Sequence, residues 1–376
     1  MGKSPLILAA LAADAVRSLK IVHAAGHTAG GTGRFDSAIL TDADGAHYIA
    51  RIPTSPSAGT DLEVEMRVLR ALNSPNVRLP FQVPTMLGET RSNIGERLVV
   101  FKLVYGNPIN PFQVQPNAPL SHSIAAALVG IHSINPDLVV ANGFSSYSVA
   151  ENLRLRVAEL DRAAQTGKVP AILLARWEEA LEDSTLWRYQ PTVIHGDLNG
   201  DTMLEEGGEV TGVIEWYRLE LNDPAMDFKW LVPGVEHDLL DAVLFNYQLS
   251  RNTGDSRIAQ RAIFYSEFGH LQYLLHGATM RDQYAVEDAV AQLQELAEQA
   301  EEGLLPPLTD TQAQALLTPV AEVIDFVERT TGSMPIIPED RVISGSEQPV
   351  SEDTDQIYLT GGPNFDDDST APMDRL

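Results

Sequence analysis

The sequence is most informative at Val193-Ile-His-Gly-Asp-Leu-Asn-Gly-Asp-Thr-Met-Leu204 and at Gly212-Val-Ile-Glu-Trp216. Each stretch begins as a short apolar β segment and ends in charge, at Asp197 in the first and at Glu215 in the second. Residues 203–208 between them form a hairpin-like element with a Gly-Gly turn. Two carboxylates at the mouths of adjacent strands suit a metal–phosphate site, because one can accept a proton from a hydroxyl nucleophile while the other holds Mg²⁺.

The spacing of residues in this region resembles the signature of a known superfamily. The aminoglycoside phosphotransferase and choline kinase-like superfamily has a signature close to HGDLHPGN[IV]L, GVIDW and DPAxD. Thirteen residues of this chain follow it: His195, Gly196, Asp197, Leu198, Leu204, Gly212, Val213, Ile214, Trp216, Asp223, Pro224, Ala225 and Asp227. The resemblance extends over most of residues 20–285. It is nearest to the macrolide 2′-phosphotransferase branch. The shared features are Arg-Ile-Pro at 51–53, a residue other than Asn at position 202 (Thr202), and Asp-Pro-Ala-Met-Asp-Phe at 223–228.

The resemblance implies an α+β, protein kinase-like fold. Residues 1–104 are then a small antiparallel-β N-terminal lobe that binds the nucleotide, and residues 105–332 are a larger, mainly helical lobe for catalysis and substrate. Independently of the resemblance, apolar alternation at 21–52 predicts a three-stranded antiparallel meander. Residues 333–376 are predicted to be a disordered tail, since Pro, Ser, Gly and Asp dominate there and ten acidic residues face two arginines.

The same resemblance assigns roles around the two acidic residues. Asp197 accepts or orients the proton of the acceptor hydroxyl, and His195 in the same catalytic motif sets the loop through backbone hydrogen bonds. Glu215, assisted by Thr202, holds the Mg²⁺ cofactor. Both metal positions depart from the superfamily, which has Asp and Asn there, although the macrolide branch also lacks that Asn. Mg²⁺ demands near-ideal octahedral geometry, so either departure is expected to bear on how well the site holds it.

A nucleotide site is implied in the N-terminal lobe. Its predicted residues are Gly30, Gly31 and Gly33 in a loop after the first strand, Arg51 in place of the usual kinase Lys, Glu65 as the ion-pair partner of Arg51, and Leu103 and Tyr105 at a hinge. Three alternatives remain open at this point. Glycine loops between strands are often plain turns, Arg51 also suits a solvent-exposed strand edge, and Glu63 competes with Glu65 as the partner of Arg51.

Composition limits the classes of partner. The chain has 376 residues, no cysteine and a formal net charge of −26, which argues against nucleic acid and anionic membranes and excludes disulfides and thiolate metal sites. No stretch reaches the ~20 apolar residues that cross a bilayer. The apolar segment at 5–13 continues as an amphipathic pattern to Leu19, so we interpret it as a helix and not as a signal peptide. The absence of cysteine fits a cytoplasmic location, and the acidic net charge fits a cationic substrate.

We therefore predict a phosphotransferase that moves the γ-phosphate of ATP or GTP to a small-molecule hydroxyl, with macrolide and aminoglycoside antibiotics among the acceptors considered. The alternatives are another acceptor, such as an amino alcohol or a sugar, an impaired pseudokinase that regulates a partner, and an interaction protein whose acidic tail recruits a basic partner. Helices at about 235–285 and 285–303 are expected to wall the substrate cleft, and a last helix is expected at about 311–330. Residues considered for the cleft are Glu236, Asp238, Asp241, Tyr265, Glu267, His270 and His276.

Overall fold

The computed structural model of the chain describes residues 2–27, 33–232, 238–251 and 254–314. Gly30 and Gly31 of the predicted phosphate loop, Glu236, the acidic tail and all but the start of the predicted last helix lie outside these ranges. The proposal that the tail recruits a partner therefore stays a prediction. Within the described residues, no helix is long and apolar enough to cross a membrane.

A five-stranded antiparallel sheet forms the N-terminal part of the fold, with the strand order β1-β2-β3-β5-β4. Its strands are β1 (Ile21–Gly26), β2 (Phe35–Asp42), β3 (His47–Pro53), β4 (Met86–Arg91) and β5 (Arg97–Lys102). Two helices accompany it, α1 (Pro5–Ala15) and α2 (Pro56–Leu72). The predicted meander is confirmed, and so is the opening helix, although it ends at Ala15 and does not continue to Leu19.

Side chains alternate across the third strand, and this alternation creates a core face and a cleft face. Ala50 and Ile52 are fully buried and pack in one cluster with Leu8 of α1. Because successive side chains of a strand point to opposite faces, Ile49 and Arg51 lie on the other side, where they line a cavity. Arg51 of β3 therefore faces the cavity, and α1 packs against the opposite face of the sheet.

The C-terminal part is mainly helical, as predicted. Its helices are α3 (Pro119–His132), α4 (Asp137–Asn142), α5 (Val149–Gln165), α6 (Ala171–Glu182), α7 (Asp238–Arg251), α8 (Ile258–Met280) and α9 (Gln283–Glu301). Its short strands are β6 (Asn107–Pro108), β7 (Thr192–Ile194), β8 (Met203–Glu206), β9 (Glu209–Val213) and β10 (Glu220–Asn222). One hydrophobic cluster continues from Leu62 of α2 through Phe101 of β5 to Trp177 of α6. The division into lobes at residue 104 stays a prediction.

The two strands that lead to Asp197 and Glu215 are not neighbours, so this part of the prediction is wrong. β7 and β10 form a two-stranded sheet, whereas β9 belongs to the sheet β6-β8-β9. The reason lies at Glu215, which adopts the left-handed conformation with φ of 66° and turns the chain into a short 3-10 turn. That turn sends the following strand back onto β7, where Glu220 faces Ile194.

Two residues considered for the substrate cleft belong to the core instead. The Tyr265 hydroxyl donates to Asp223 at 3.0 Å, and both residues are buried. Glu267 accepts hydrogen bonds from Arg176 and from the Trp177 indole, at 2.7–2.9 Å. Helix α8 is buried over much of its circumference, so these two side chains are satisfied by hydrogen bonds to neighbouring elements.

Candidate active site

The loop after β7 is held by a buried histidine. The His195 side chain is fully buried, and its Nδ1 accepts a hydrogen bond from the Asp197 amide at 3.3 Å. Its Nε2 therefore carries the proton and donates to the Ile214 carbonyl at 3.0 Å. Burial lowers the pKa of the imidazole, which favours this neutral form. With both ring nitrogens bonded to backbone, His195 joins the two signature stretches and has no nitrogen left for a substrate.

A buried carboxylate holds the same loop through hydrogen bonds to its backbone. Asp227 accepts from the backbone amides of His195 at 2.8 Å and Gly196 at 2.9 Å, and its Oδ2 also lies 3.2 Å from Nε2 of His132. Burial alone would raise the pKa of Asp227, but these hydrogen bonds and the neighbouring histidines hold it below its usual value. Asp227 therefore holds the backbone of His195 and Gly196, and its own carboxylate is fully buried.

Asp197 has an unpredicted partner. The Tyr217 hydroxyl donates to Asp197 Oδ2 at 2.5 Å, and burial together with the charge of Asp197 raises the pKa of Tyr217 to about 12. The guanidinium of Arg34 lies 4.7 Å from the centroid of the Tyr217 ring. One feature of the sequence points to this contact, since Tyr217 follows Gly212-Val-Ile-Glu-Trp216 immediately.

Arg51 joins the two acidic residues that face the cleft. Its Nη1 lies 3.5 Å from Glu65 Oε2 and its Nη2 lies 3.5 Å from Glu215 Oε1. The rival partner Glu63 pairs with Arg97 instead, at 2.9 Å. Burial raises the pKa of Glu215, with the charge of Arg51 opposing that effect. The structure therefore brings together three of the predicted residues, while their contacts with nucleotide and metal stay predictions.

The predicted metal-ligand role of Thr202 is not supported by its geometry. Thr202 is 2% exposed, and its hydroxyl donates to the Asn199 carbonyl and accepts from the Asn199 amide, both at 3.0 Å. The side chain therefore closes the catalytic loop. Among the residues that the structure describes, no group of three or more acidic or histidine side chains is arranged for a metal ion. Mg²⁺ commonly binds through one or two carboxylates plus phosphates and water, so Glu215 alone still fits such a site.

A cavity of about 220 Å³ lies between the sheet and the β8–β9 hairpin, and Arg51, Glu65, Leu103 and Tyr105 are among the residues that line it. The Leu103 amide donates to the His47 carbonyl at 3.2 Å, so the Leu103 carbonyl is the group left for a ligand. The Tyr105 carbonyl accepts from Thr211 at 2.7 Å, and the Tyr105 amide has no acceptor among the described residues. One acceptor and one donor are therefore available at the predicted hinge.

Gly196 is required at the turn of the catalytic motif. It has φ of +82°, and a Cβ there would lie 2.5 Å from the Arg218 carbonyl oxygen. We expect Gly196→Ala to lower the free energy of unfolding by ~1–2 kcal/mol for the left-handed conformation, plus ~1–3 kcal/mol for the collision. Gly143→Ala is the matched control, because Gly143 has φ of +65° and open space around its Cβ position. Chemical denaturation measures both losses, and equal losses would disprove the collision.

The sequence also matches a family model along most of this region. The model is described as the phosphotransferase enzyme family (APH), and the match covers residues 29–276. The chain belongs to this phosphotransferase family. The predicted resemblance and the kinase-like fold are both confirmed.

Solved structures of phosphotransferases share the fold. The apoenzyme of macrolide 2′-phosphotransferase MphH from Brachybacterium faecium is 21% identical, with a TM-score of 0.66, over 77% of this chain and 98% of that chain. Macrolide 2′-phosphotransferase type I is 25% identical, with a TM-score of 0.65, over 77% and 96%. The GDP complex of wild-type aminoglycoside 2′-phosphotransferase-IIIa is 18% identical, with a TM-score of 0.64, over 78% and 98%.

One curated protein is similar over a short segment. YcbJ of Bacillus subtilis (strain 168), an uncharacterized protein, is 36% identical over 61 residues. These residues are 16% of this phosphotransferase-family chain and 20% of YcbJ, so the match spans one fifth of that relative's length.

Proposed function

We propose that this chain transfers the γ-phosphate of ATP or GTP to a hydroxyl group of a small molecule. The observation that carries the proposal is the placement of Asp197. His195 accepts a hydrogen bond from the Asp197 amide, Asp227 holds the two amides before it, and the Asp197 carboxylate already accepts from a hydroxyl group. The membership in the phosphotransferase family supports it. Macrolides and aminoglycosides are the acceptor classes to test first, because a macrolide 2′-phosphotransferase and an aminoglycoside phosphotransferase in complex with kanamycin are among the proteins with a similar fold.

The nucleotide fits the cavity beside the hinge. A purine presents an adjacent donor and acceptor on its edge, which the Leu103 carbonyl and the Tyr105 amide complement. The phosphates then extend toward Arg51, whose planar guanidinium binds phosphate oxygens in a bidentate manner. Gly33, the described end of the predicted phosphate loop, has φ of +72° and open space at its Cβ position.

In the proposed reaction, the acceptor hydroxyl donates its hydrogen bond to Asp197 and gives up its proton there as the new O–P bond forms. The bond between the β- and γ-phosphates breaks, and the nucleoside diphosphate leaves with the electron pair. Arg51 holds the phosphates, and Glu65 holds Arg51. Mg²⁺ at Glu215 supplies neutralisation of phosphate charge when it is bound. Catalysis is then mainly placement and charge stabilisation.

A pseudokinase that binds nucleotide without transferring phosphate is the second possibility. It is favoured by the Thr202 hydroxyl, which is committed to Asn199 and leaves Glu215 as the single acidic ligand proposed for the metal. Such a protein would bind nucleotide with little dependence on Mg²⁺.

Calorimetry separates the two possibilities. We expect ATP or GTP to bind with Mg²⁺ and to lose about tenfold or more in affinity in EDTA, which corresponds to ~1.4 kcal/mol of metal-dependent binding. Mass spectrometry across a panel of macrolides, aminoglycosides, amino alcohols and sugars then identifies the phosphorylated product. Metal-independent binding together with no product in the panel would favour the pseudokinase.

A further inference from the structure

Tyr217 contacts both Asp197 in the loop after β7 and Arg34 directly before β2. It lies in the 3-10 turn Trp216–Arg218, which is anchored because the buried Trp216 indole donates to the Val213 carbonyl at 2.8 Å. From this turn the Tyr217 hydroxyl reaches Asp197 Oδ2 at 2.5 Å. The side chain is only partly buried, so it is a residue that a ligand can displace.

An arginine directly before β2 covers the tyrosine ring. Arg34 immediately follows Gly33 and forms an ion pair with Asp61 of α2. Its guanidinium lies 4.7 Å from the Tyr217 ring centroid, which is within range of a cation–π interaction. The tyrosine is therefore held from the sheet side by Arg34 and from the catalytic loop side by Asp197.

A hydroxyl that donates to the Asp197 carboxylate makes the same contact that the reacting hydroxyl must make. Building on the proposed function, we propose that Tyr217 determines acceptor specificity by occupying the acceptor-hydroxyl position on Asp197, so that an alcohol acceptor displaces it and water does not. An acceptor of antibiotic size gains further contacts with the protein as it displaces the tyrosine. Water has no such contacts to offer.

The reaction that Tyr217 suppresses is hydrolysis of the nucleotide. In that reaction water oxygen bonds to the γ-phosphorus, the β–γ phosphoanhydride bond breaks, and the water proton passes to Asp197. The products are a nucleoside diphosphate and inorganic phosphate. The Tyr217 hydroxyl has one proton, and it donates this proton to Asp197 Oδ2 in a hydrogen bond of 2.5 Å. It therefore occupies the carboxylate as a donor and does not compete with it as a base.

The test is Tyr217→Phe, assayed with MgATP and with MgGTP in the absence of any acceptor. Phenylalanine keeps the ring beneath Arg34 and removes the hydroxyl from Asp197. We expect the rate of phosphate release to rise about tenfold, a change equivalent to ~1.4 kcal/mol in the barrier. Arg34→Gln, which removes the cation above the ring, should change the rate in the same direction by less. Tyr284→Phe is the matched control, since Tyr284 is 78% exposed on α9.

Two results would overturn the proposal. Phosphate release from Tyr217→Phe at or below the wild-type rate, with an unchanged thermal unfolding curve, would mean that the hydroxyl does not hold water out. A phosphoryl group found on Tyr217 of the wild type by tandem mass spectrometry would mean that this residue is itself an acceptor. The acceptor panel distinguishes this failure from that of the proposed function, because wild-type transfer to kanamycin or to a macrolide is measured independently of phosphate release.

Discussion

Asp197→Asn is expected to lower kcat for phosphoryl transfer by about 10²–10⁴-fold, the usual contribution of a positioned general base. Asparagine has nearly the same shape as aspartate, and its side-chain oxygen still accepts from the Tyr217 hydroxyl, but it cannot take up the proton of an acceptor. Asp197 is not among the residues that line the cavity, so the nucleotide affinity should be almost unchanged. Product formation by mass spectrometry and nucleotide binding by calorimetry measure the two effects separately.

The control for this substitution is Asp161→Asn on the exposed face of α5, which makes the same chemical change far from the loop. It should leave both transfer and nucleotide binding at wild-type values. If Asp197→Asn retained most of its turnover, Asp197 would have no part in proton transfer. If it lost nucleotide binding as strongly as transfer, the substitution would have disturbed the cavity and not the chemistry.

Arg261→Met is expected to cause the largest loss of stability, about 3–5 kcal/mol, because it leaves the buried carboxylate of Asp223 and the partly buried carboxylate of Asp255 without their cation. Arg261 is fully buried on α8 and forms two hydrogen bonds with Asp223, at 2.7 and 3.1 Å, and two with Asp255, at 2.6 and 3.1 Å. Asp223 in turn caps the 3-10 turn that carries Asp227, through the Ala225 amide at 2.9 Å. Denaturation by urea, followed by circular dichroism, measures the loss.

Arg162→Met on α5 is the matched control, since that arginine is exposed and such surface changes usually stay within ~0.5 kcal/mol. Adding Asp255→Asn to Arg261→Met should recover part of the lost stability, because it removes one of the two uncompensated charges. A loss below ~1 kcal/mol for Arg261→Met would contradict the buried ion-pair account.

The sequence predicted the elements whose signal is local. Period-two alternation located β1 to β3, because the side to which a strand residue points depends only on its immediate neighbours. The signature residues predicted the placement of His195, and the structure agrees in detail. The choice of Glu65 over Glu63 also agrees with the geometry, since only Glu65 lies on the face of α2 that meets Arg51.

The remaining contacts depend on tertiary placement that no local pattern encodes. Arg261 and Asp223 form an ion pair although they are 38 residues apart in the sequence. The sequence of a helix does not show whether one of its charged residues is buried. The expected pairing of the strands before Asp197 and Glu215 was wrong. A glutamate rarely adopts the left-handed conformation, so the sequence does not predict the turn at Glu215. Thr202 was assigned to a metal from its position alone, although its hydroxyl closes the loop.

The ring of His195 connects the amide of Asp197 to the carbonyl of Ile214, the residue directly before Glu215. The residue proposed as proton acceptor and the residue proposed for the metal are therefore connected through one buried side chain. Their separation is set by two hydrogen bonds to that side chain, and Arg261 of α8 supports this connection through Asp223 and Asp227. Substitutions on exposed surfaces around the site can change what it binds without changing this spacing, as long as these buried contacts are kept.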